Sequence, residues 1–371
     1  MGQREMCIEC RVFMSGVESL EIWGAIKDQW KSMAGMAAMF TFSILYAIFI
    51  LPVYNYDAYR GFGESGTTKT EFIFLELGII FLFTILIIWL ARKGFQALIK
   101  GFIFFALGYS LLIALSPILS IVFEIFGVEN SDLEILLFNI LSLFCTIILM
   151  YILYKFPEWY VVNTVGVLVG SGVIVMIGIA FVPVLIIIFM ILAAIYDHWA
   201  VNKSKHMLEL ADTMIDLKLP VLLVSPKEAG YSLIDNKDSE MKKQVEELNH
   251  EKPVKLMKNK PKRDALFMGL GDVIFPGILV ISSITFLPEI GPVVIDFWGG
   301  NTTPIYLGPL LVGMGTLIGG LIGYAALMTQ VARGNPQAGL PLLNGGSILG
   351  YLISGIFALG LDNLWQDITL F

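Results

Sequence analysis

What limits this chain most is a repeated stretch of about twenty apolar residues, the length needed to cross a ~30 Å hydrocarbon core. Read against that length, the sequence holds nine candidate spans, approximately 33–53, 71–91, 97–123, 134–154, 159–177, 179–201, 265–287, 304–332 and 338–360. A backbone in lipid must satisfy its own hydrogen bonds, so runs of this kind are expected to be helices. The fifth and sixth are nearly continuous, and Gly170, Gly172, Gly178 and Pro183 predict a tight turn near Gly178. The composition excludes a soluble domain: 57% of 371 residues are hydrophobic and 15% charged, against about 25% charged in soluble domains. The expected fold class is an all-α integral membrane protein with nine transmembrane helices.

Lysines and arginines set the orientation, because short cytoplasmic connections carry an excess of them. With the N-terminus inside, the short inside segments hold nine (Arg4, Arg11, Lys27, Lys31, Arg92, Lys93, Lys100, Lys155 and Arg333) and the outside ones only Arg60 and Lys69. The organisation expected is a cytoplasmic segment 1–32, helices one to six over 33–201 and a flexible cytoplasmic loop 202–264. Helices seven to nine follow over 265–360, then an extracytoplasmic tail 361–371. The first 32 residues lack the apolar core and small-residue cleavage site of a leader, so the first run is expected to be an uncleaved anchor. A net charge of −7 lies in loops and tails and points to no nucleic-acid partner.

Within the loop, 203–216 reads as a helix continuing below the membrane and 237–263 as a flexible charged run. The stretch 218–226, bounded by prolines and rich in apolar residues, reads as a strand. It either packs on the membrane face or offers an edge to an extended peptide. Gly315, Gly319 and Gly323 recur every four residues, the spacing that lets helix backbones approach closely. Cys145 lies mid-run as a packing residue. Cys7 and Cys10 form a CxxC with no second pair or histidines to complete a zinc set. Glu76 is an acid inside the second run with no partner that sequence can name.

The chemistry concentrates in two acids. Asp272 follows Gly269, Leu270 and Gly271 inside the seventh run, and a carboxylate at such depth costs roughly 2.5–3.5 kcal/mol on insertion scales. Asp197, in Tyr196-Asp197-His198-Trp199, closes the sixth run. Helices six and seven are antiparallel in this topology. Asp197 lies six residues, about 9 Å, before Lys203, and Asp272 nine residues, about 13 Å, after Arg263. The two carboxylates thus fall at similar depth in the cytoplasmic half. Two aspartates facing each other in a low dielectric cannot both ionise easily and share a proton. That arrangement activates water against a peptide carbonyl.

Tyr196-Asp197 followed by Gly269-Leu270-Gly271-Asp272 resembles the YD and GxGD pair of the presenilin and signal peptide peptidase family of intramembrane aspartyl proteases. The family's Pro-Ala-Leu motif is partly matched: Leu340 and Pro341 fit its Leu-Pro, while Ala338 and Gly339 depart from its Pro-Ala. The resemblance covers roughly 33–360, and without a large luminal domain the chain is most similar to the archaeal presenilin-like branch. It implies a presenilin-like fold and hydrolysis of peptide bonds inside transmembrane segments of membrane proteins or signal peptides. Asp197 and Asp272 would be the catalytic pair; Tyr196, Gly269, Leu270, Gly271, Leu340 and Pro341 would bind substrate or shape the site. It implies no metal and no organic cofactor, partners that are transmembrane-helix substrates in a lipid bilayer, and a multi-pass location in the cell membrane. Tyr196 either orients Asp197 or anchors the helix at the interface.

The alternative is a proton-coupled carrier or channel, since membrane carboxylates also mark proton relays. It predicts inverted repeats, and none is visible. A prepilin-type peptidase would carry its dyad in loops near the cytoplasm, and a catalytically silent scaffold that holds membrane helices is separated from an enzyme only by activity.

Overall fold

A computed structural model describes residues 2–56, 59–61, 67–125, 132–199, 222–227, 231–232, 265–296, 303–332 and 339–366. Nine α-helices occur among them: α1 (Gly2–Tyr54), α2 (Thr70–Arg92), α3 (Gln96–Ile125), α4 (Asp132–Lys155), α5 (Trp159–Gly178), α6 (Pro183–Trp199), α7 (Leu270–Phe286), α8 (Leu307–Ala332) and α9 (Leu340–Ala358). Two antiparallel strand pairs accompany them, β1 (Leu222–Pro226) with β2 (Ala265–Gly269) and β3 (Val293–Ile295) with β4 (Ile305–Tyr306). The expected helix at 203–216, the charged run 237–263, and positions 218–221 of the expected strand lie outside the described residues, as do the side chains of Cys7, Cys10 and Glu76. Cys145 is a free, half-buried thiol on α4.

All nine apolar runs are helical, but the first, sixth, seventh and eighth begin elsewhere than expected, the sixth at Pro183. The seventh run is not helical from its start: its first five residues are β2, because β1 supplies a partner for their backbone. The eighth likewise begins as β4 and turns helical at Leu307. The first helix starts at Gly2, and its membrane-length apolar part is Gln29–Tyr54. Seven helices are long and apolar enough to cross a membrane; α6 and α7, at 17 residues each, are shorter. At 1.5 Å per residue each spans about 26 Å, below the ~30 Å core. The two short helices are the ones that carry the two aspartates.

Helix α5 is the central element, with Ile174, Val175 and Val169 wholly or nearly buried. Glycines on both helices let α5 and α7 approach: Ile174 of α5 reaches Gly277 of α7, and Gly178 of α5 lies against Ile281 of α7. The α5–α6 turn falls at residues 179–182, as Gly178 and Pro183 predict, and Ser282 of α7 donates to its Phe181 carbonyl at 2.6 Å. Met36, Phe40 and Ile44 of α1 pack with Val280 and Ile281 of α7 and Leu317 of α8 in the main core. By contrast α2 and α4 turn Phe81, Leu82, Phe144 and Ile147 outward, the pattern of helices bathed in lipid.

Polar side chains repair the backbone where the helices are broken. Pro117 in α3 has no N–H for the Ile113 carbonyl. Tyr54 of α1 donates to that carbonyl at 2.8 Å, and Tyr46 donates to the next one, Ala114, at 2.6 Å. The tightest helix pair is α8 with α9. Gly319 lies against the Gly346 carbonyl and Gly323 against the Leu342 carbonyl, so these glycines serve as the four-residue spacing requires.

Candidate active site

Asp197 sits in the last turn of α6 and Asp272 in the first turn of α7. The expected depth of Asp272, nine helical residues from Arg263, is corrected by β2: the chain is extended through Gly269 and turns helical only at Leu270. The meeting of the two acids does not depend on that count, and their carboxylates are close enough to interact electrostatically. Beyond them the α6–α7 seam is apolar, with the rings of Phe189 and Phe275 5.4 Å apart. Asp197 is buried and Asp272 half-buried.

Each carboxylate is held by a backbone amide. The Gly269 N–H, at the N-cap of α7, donates to Asp272. This is one half of a capping box, in which an acid at the third helical position reaches back to the cap. The Leu340 N–H at the start of α9 donates to Asp197. A second contact fixes the same two helices: Asn344 of α9 donates to the Met190 carbonyl of α6 at 3.0 Å. Met190 lies seven residues, or two turns, before Asp197, on the same side of α6. The N-termini of α7 and α9 both point at the pair, and helix N-termini favour negative charge.

The other expected site residues divide. Leu340 contacts Asp197 through its amide, and Pro341 occupies the first turn of α9, where its missing N–H costs nothing. Gly339 brings its Cα so near Asp272 that a Cβ would lie 3.3 and 3.4 Å from the two carboxylate oxygens. Leu270 packs instead against Gly170 of α5. A Cβ at Gly269 would make only an ordinary 3.5 Å contact with Asp272, and one at Gly271 would meet nothing within 4 Å. Gly271 is exposed, so the open flank of the motif lies there. The Tyr196 ring stacks towards Trp199 at 6.2 Å.

The strand edge offered by the sequence is occupied at Val224 and Pro226. Leu222 pairs with Gly269, Val224 with Phe267 and Pro226 with Ala265. Both backbone groups of Val224 are taken by Asn163 of α5 (N–H to Oδ1 2.8 Å, Nδ2 to carbonyl 2.6 Å), and Ser32 of α1 donates to the Pro226 carbonyl at 3.0 Å. These groups therefore face away from β2, and the inter-strand bonds run through Leu223–Met268 and Ser225–Leu266. By the same alternation Phe267 turns its N–H and C=O outward from β2, and among the described residues they have no hydrogen-bond partner. Asn163 and Asn344 have no counterpart among the expected site residues. Their signal in the sequence is a buried amide in an apolar run, costly unless it is paired.

The family model described as signal-peptide peptidase, presenilin aspartyl protease matches residues 36–360. Two solved structures of a presenilin family intramembrane aspartate protease are similar to the chain. The one in space group C222 is 25% identical, covers 86% of this chain and 97% of its own, and has a TM-score of 0.53. The one in space group P2 is 26% identical, with 89% and 100% covered and a TM-score of 0.55. No curated protein matches.

Proposed function

Because this chain belongs to the signal-peptide peptidase and presenilin family of aspartyl proteases, we propose that Asp197 and Asp272 are its catalytic pair. The protein is a multi-pass membrane protein and an intramembrane aspartyl endopeptidase, hydrolysing peptide bonds in membrane-protein substrates within the bilayer. The observation that carries the assignment is the convergence of the two acids from the facing ends of α6 and α7, each held by a backbone amide.

The pair holds one proton. Its ionised member takes a proton from a water whose oxygen attacks the scissile carbonyl, while the neutral member gives its proton to the carbonyl oxygen. A gem-diol forms. On collapse the C–N bond breaks, the first carboxyl protonates the departing amine, and a diol hydroxyl returns a proton to the second. The dyad ends with the single proton it began with. These steps run through water and the two carboxylates alone.

A substrate helix hides its carbonyls in its own hydrogen bonds and must be unwound before attack. An extended segment finds a pairing edge on β2 at Phe267, five residues before Asp272, while Asn163 and Ser32 occupy the Val224 and Pro226 positions of the β1 edge. Gly271 leaves that approach open, Gly339 gives the Asp272 carboxylate its room, Leu340 holds Asp197, and Pro341 starts α9. Tyr196, stacked towards Trp199, anchors the end of α6. The lysine and arginine asymmetry supports a cell-membrane orientation with the N-terminus and the 202–264 segment cytoplasmic and the tail outside.

Replacing Asp197 or Asp272 by Asn tests the assignment. Either change is expected to lower cleavage of a transmembrane substrate in liposomes by at least about 10³-fold, while the purified protein keeps its thermal midpoint. Full activity in either variant would remove that residue from the mechanism.

A further inference from the structure

Asn163 is a buried polar residue, 8% exposed, for which the hydrolytic steps have no use. It makes with Val224 the two bonds that a neighbouring strand would make, donating to the carbonyl and accepting from the amide. The helix face it begins continues along the same hairpin. Gly166, three residues on, has no Cβ because the Leu223 side chain would lie 2.9 Å from it, and Gly170, a further turn on, seats Leu270 at 3.3 Å. One face of α5 thus holds Val224 by its backbone, Leu223 by shape, and the residue two before Asp272 by contact.

We propose that Asn163 is a positioning residue that ties the β1–β2 hairpin to α5 at Val224, fixing where the hairpin stands beside Asp272 and occupying that position of the β1 edge against incoming peptide. The inference rests on the assignment of Asp272 as catalytic. Its physical basis is the alternation of strand groups. Val224 turns its amide and carbonyl away from β2, and without Asn163 both would lie unpaired among apolar neighbours. With the hairpin fixed, Gly269, whose amide holds Asp272, stands at one distance from the edge residue Phe267. A substrate strand paired there presents one bond to the dyad.

The test compares Asn163→Leu and Asn163→Asp with the unaltered enzyme on one synthetic transmembrane peptide, reading KM, kcat and the cleaved bonds by mass spectrometry. Loss of both clamp bonds in Asn163→Leu is expected to raise KM about tenfold. In the same variant kcat stays within about threefold, and cleavage spreads to bonds flanking the main one. Asn163→Asp keeps the acceptor and loses the donor, so its shift is intermediate. An unchanged KM and cleavage pattern in Asn163→Leu overturns the proposal. If that variant fails to fold, an unchanged pattern in Asn163→Asp does so instead. A fall in kcat matched only by a fall in folded fraction also overturns it, since that marks a plain structural role. Asp272→Asn, assayed in parallel, separates the premises: residual activity there removes the dyad, whereas an inactive Asp272→Asn beside unaltered Asn163 variants removes the clamp alone.

Discussion

Around Asp272 the sharpest constraint comes from a residue with no side chain. Gly339 has φ −75° and ψ −40°, a conformation open to any residue, so its backbone does not require glycine. Space does: a Cβ would sit 3.3 and 3.4 Å from the two Asp272 oxygens and 3.4 Å from Leu327. A larger side chain must push the carboxylate away from the position in which the Gly269 amide holds it beside Asp197. Misplacement of a reacting group by about 1 Å can cost about 10²-fold. Gly339→Leu is therefore expected to lower kcat by about 10²-fold, read in a detergent assay against a thermal midpoint that moves little. Gly271 gives the contrast. Its Cβ would meet nothing within 4 Å, so Gly271→Leu should leave stability unchanged and act on KM, by intruding on the space that the substrate enters. A loss of stability in Gly271→Leu would mean that its flank is packed rather than open.

Between elements, the α8–α9 seam holds the site together, because α9 supplies the amide at Leu340 and the Asn344 tie to α6. A Cβ at Gly319 would fall against the Gly346 carbonyl and 2.8 Å from the Gly350 Cα, where only backbone is present to yield. Gly319→Leu is expected to cost about 3 kcal/mol or more, read as a lowered midpoint in thermal unfolding, with activity lost alongside. Gly345→Leu, at the residue beside Gly346 but with nothing within 4 Å, should be neutral in the same measurement. The four-residue spacing made this seam legible in the sequence, as span length made the helices. Helix α7 was legible only in part. The residues of β2 are as apolar as those that follow them, and what makes them a strand is β1, about forty residues earlier. Composition alone cannot separate the two. The same limit hid Asn163: an asparagine in an apolar run signals a buried partner, but only the fold shows that this partner is Val224.

For the molecule as a whole, the dyad, the β1–β2 hairpin and the start of α9 gather at one end of the bundle, and β3–β4 closes the connection between α7 and α8 at the other. Which end faces the cytoplasm is proposed from charge. The short connections on the hairpin's side carry nine lysines and arginines and the opposite ones carry Arg60 and Lys69. That asymmetry orients spans through their short loops, and the thirteen basic residues of 202–264 are not needed for it. The expected arrangement is checked with a background lacking Cys7, Cys10 and Cys145, into which single cysteines are placed. In intact cells an impermeant maleimide should label a cysteine at Glu289, in the α7–β3 connection, and spare one at Lys237. In inverted vesicles the pattern should reverse. Labelling of Lys237→Cys from outside would turn the whole bundle over and put the catalytic end at the outer leaflet. It would leave the two aspartates facing each other, because their meeting depends on α6 and α7 packing antiparallel and not on which solution lies beyond them.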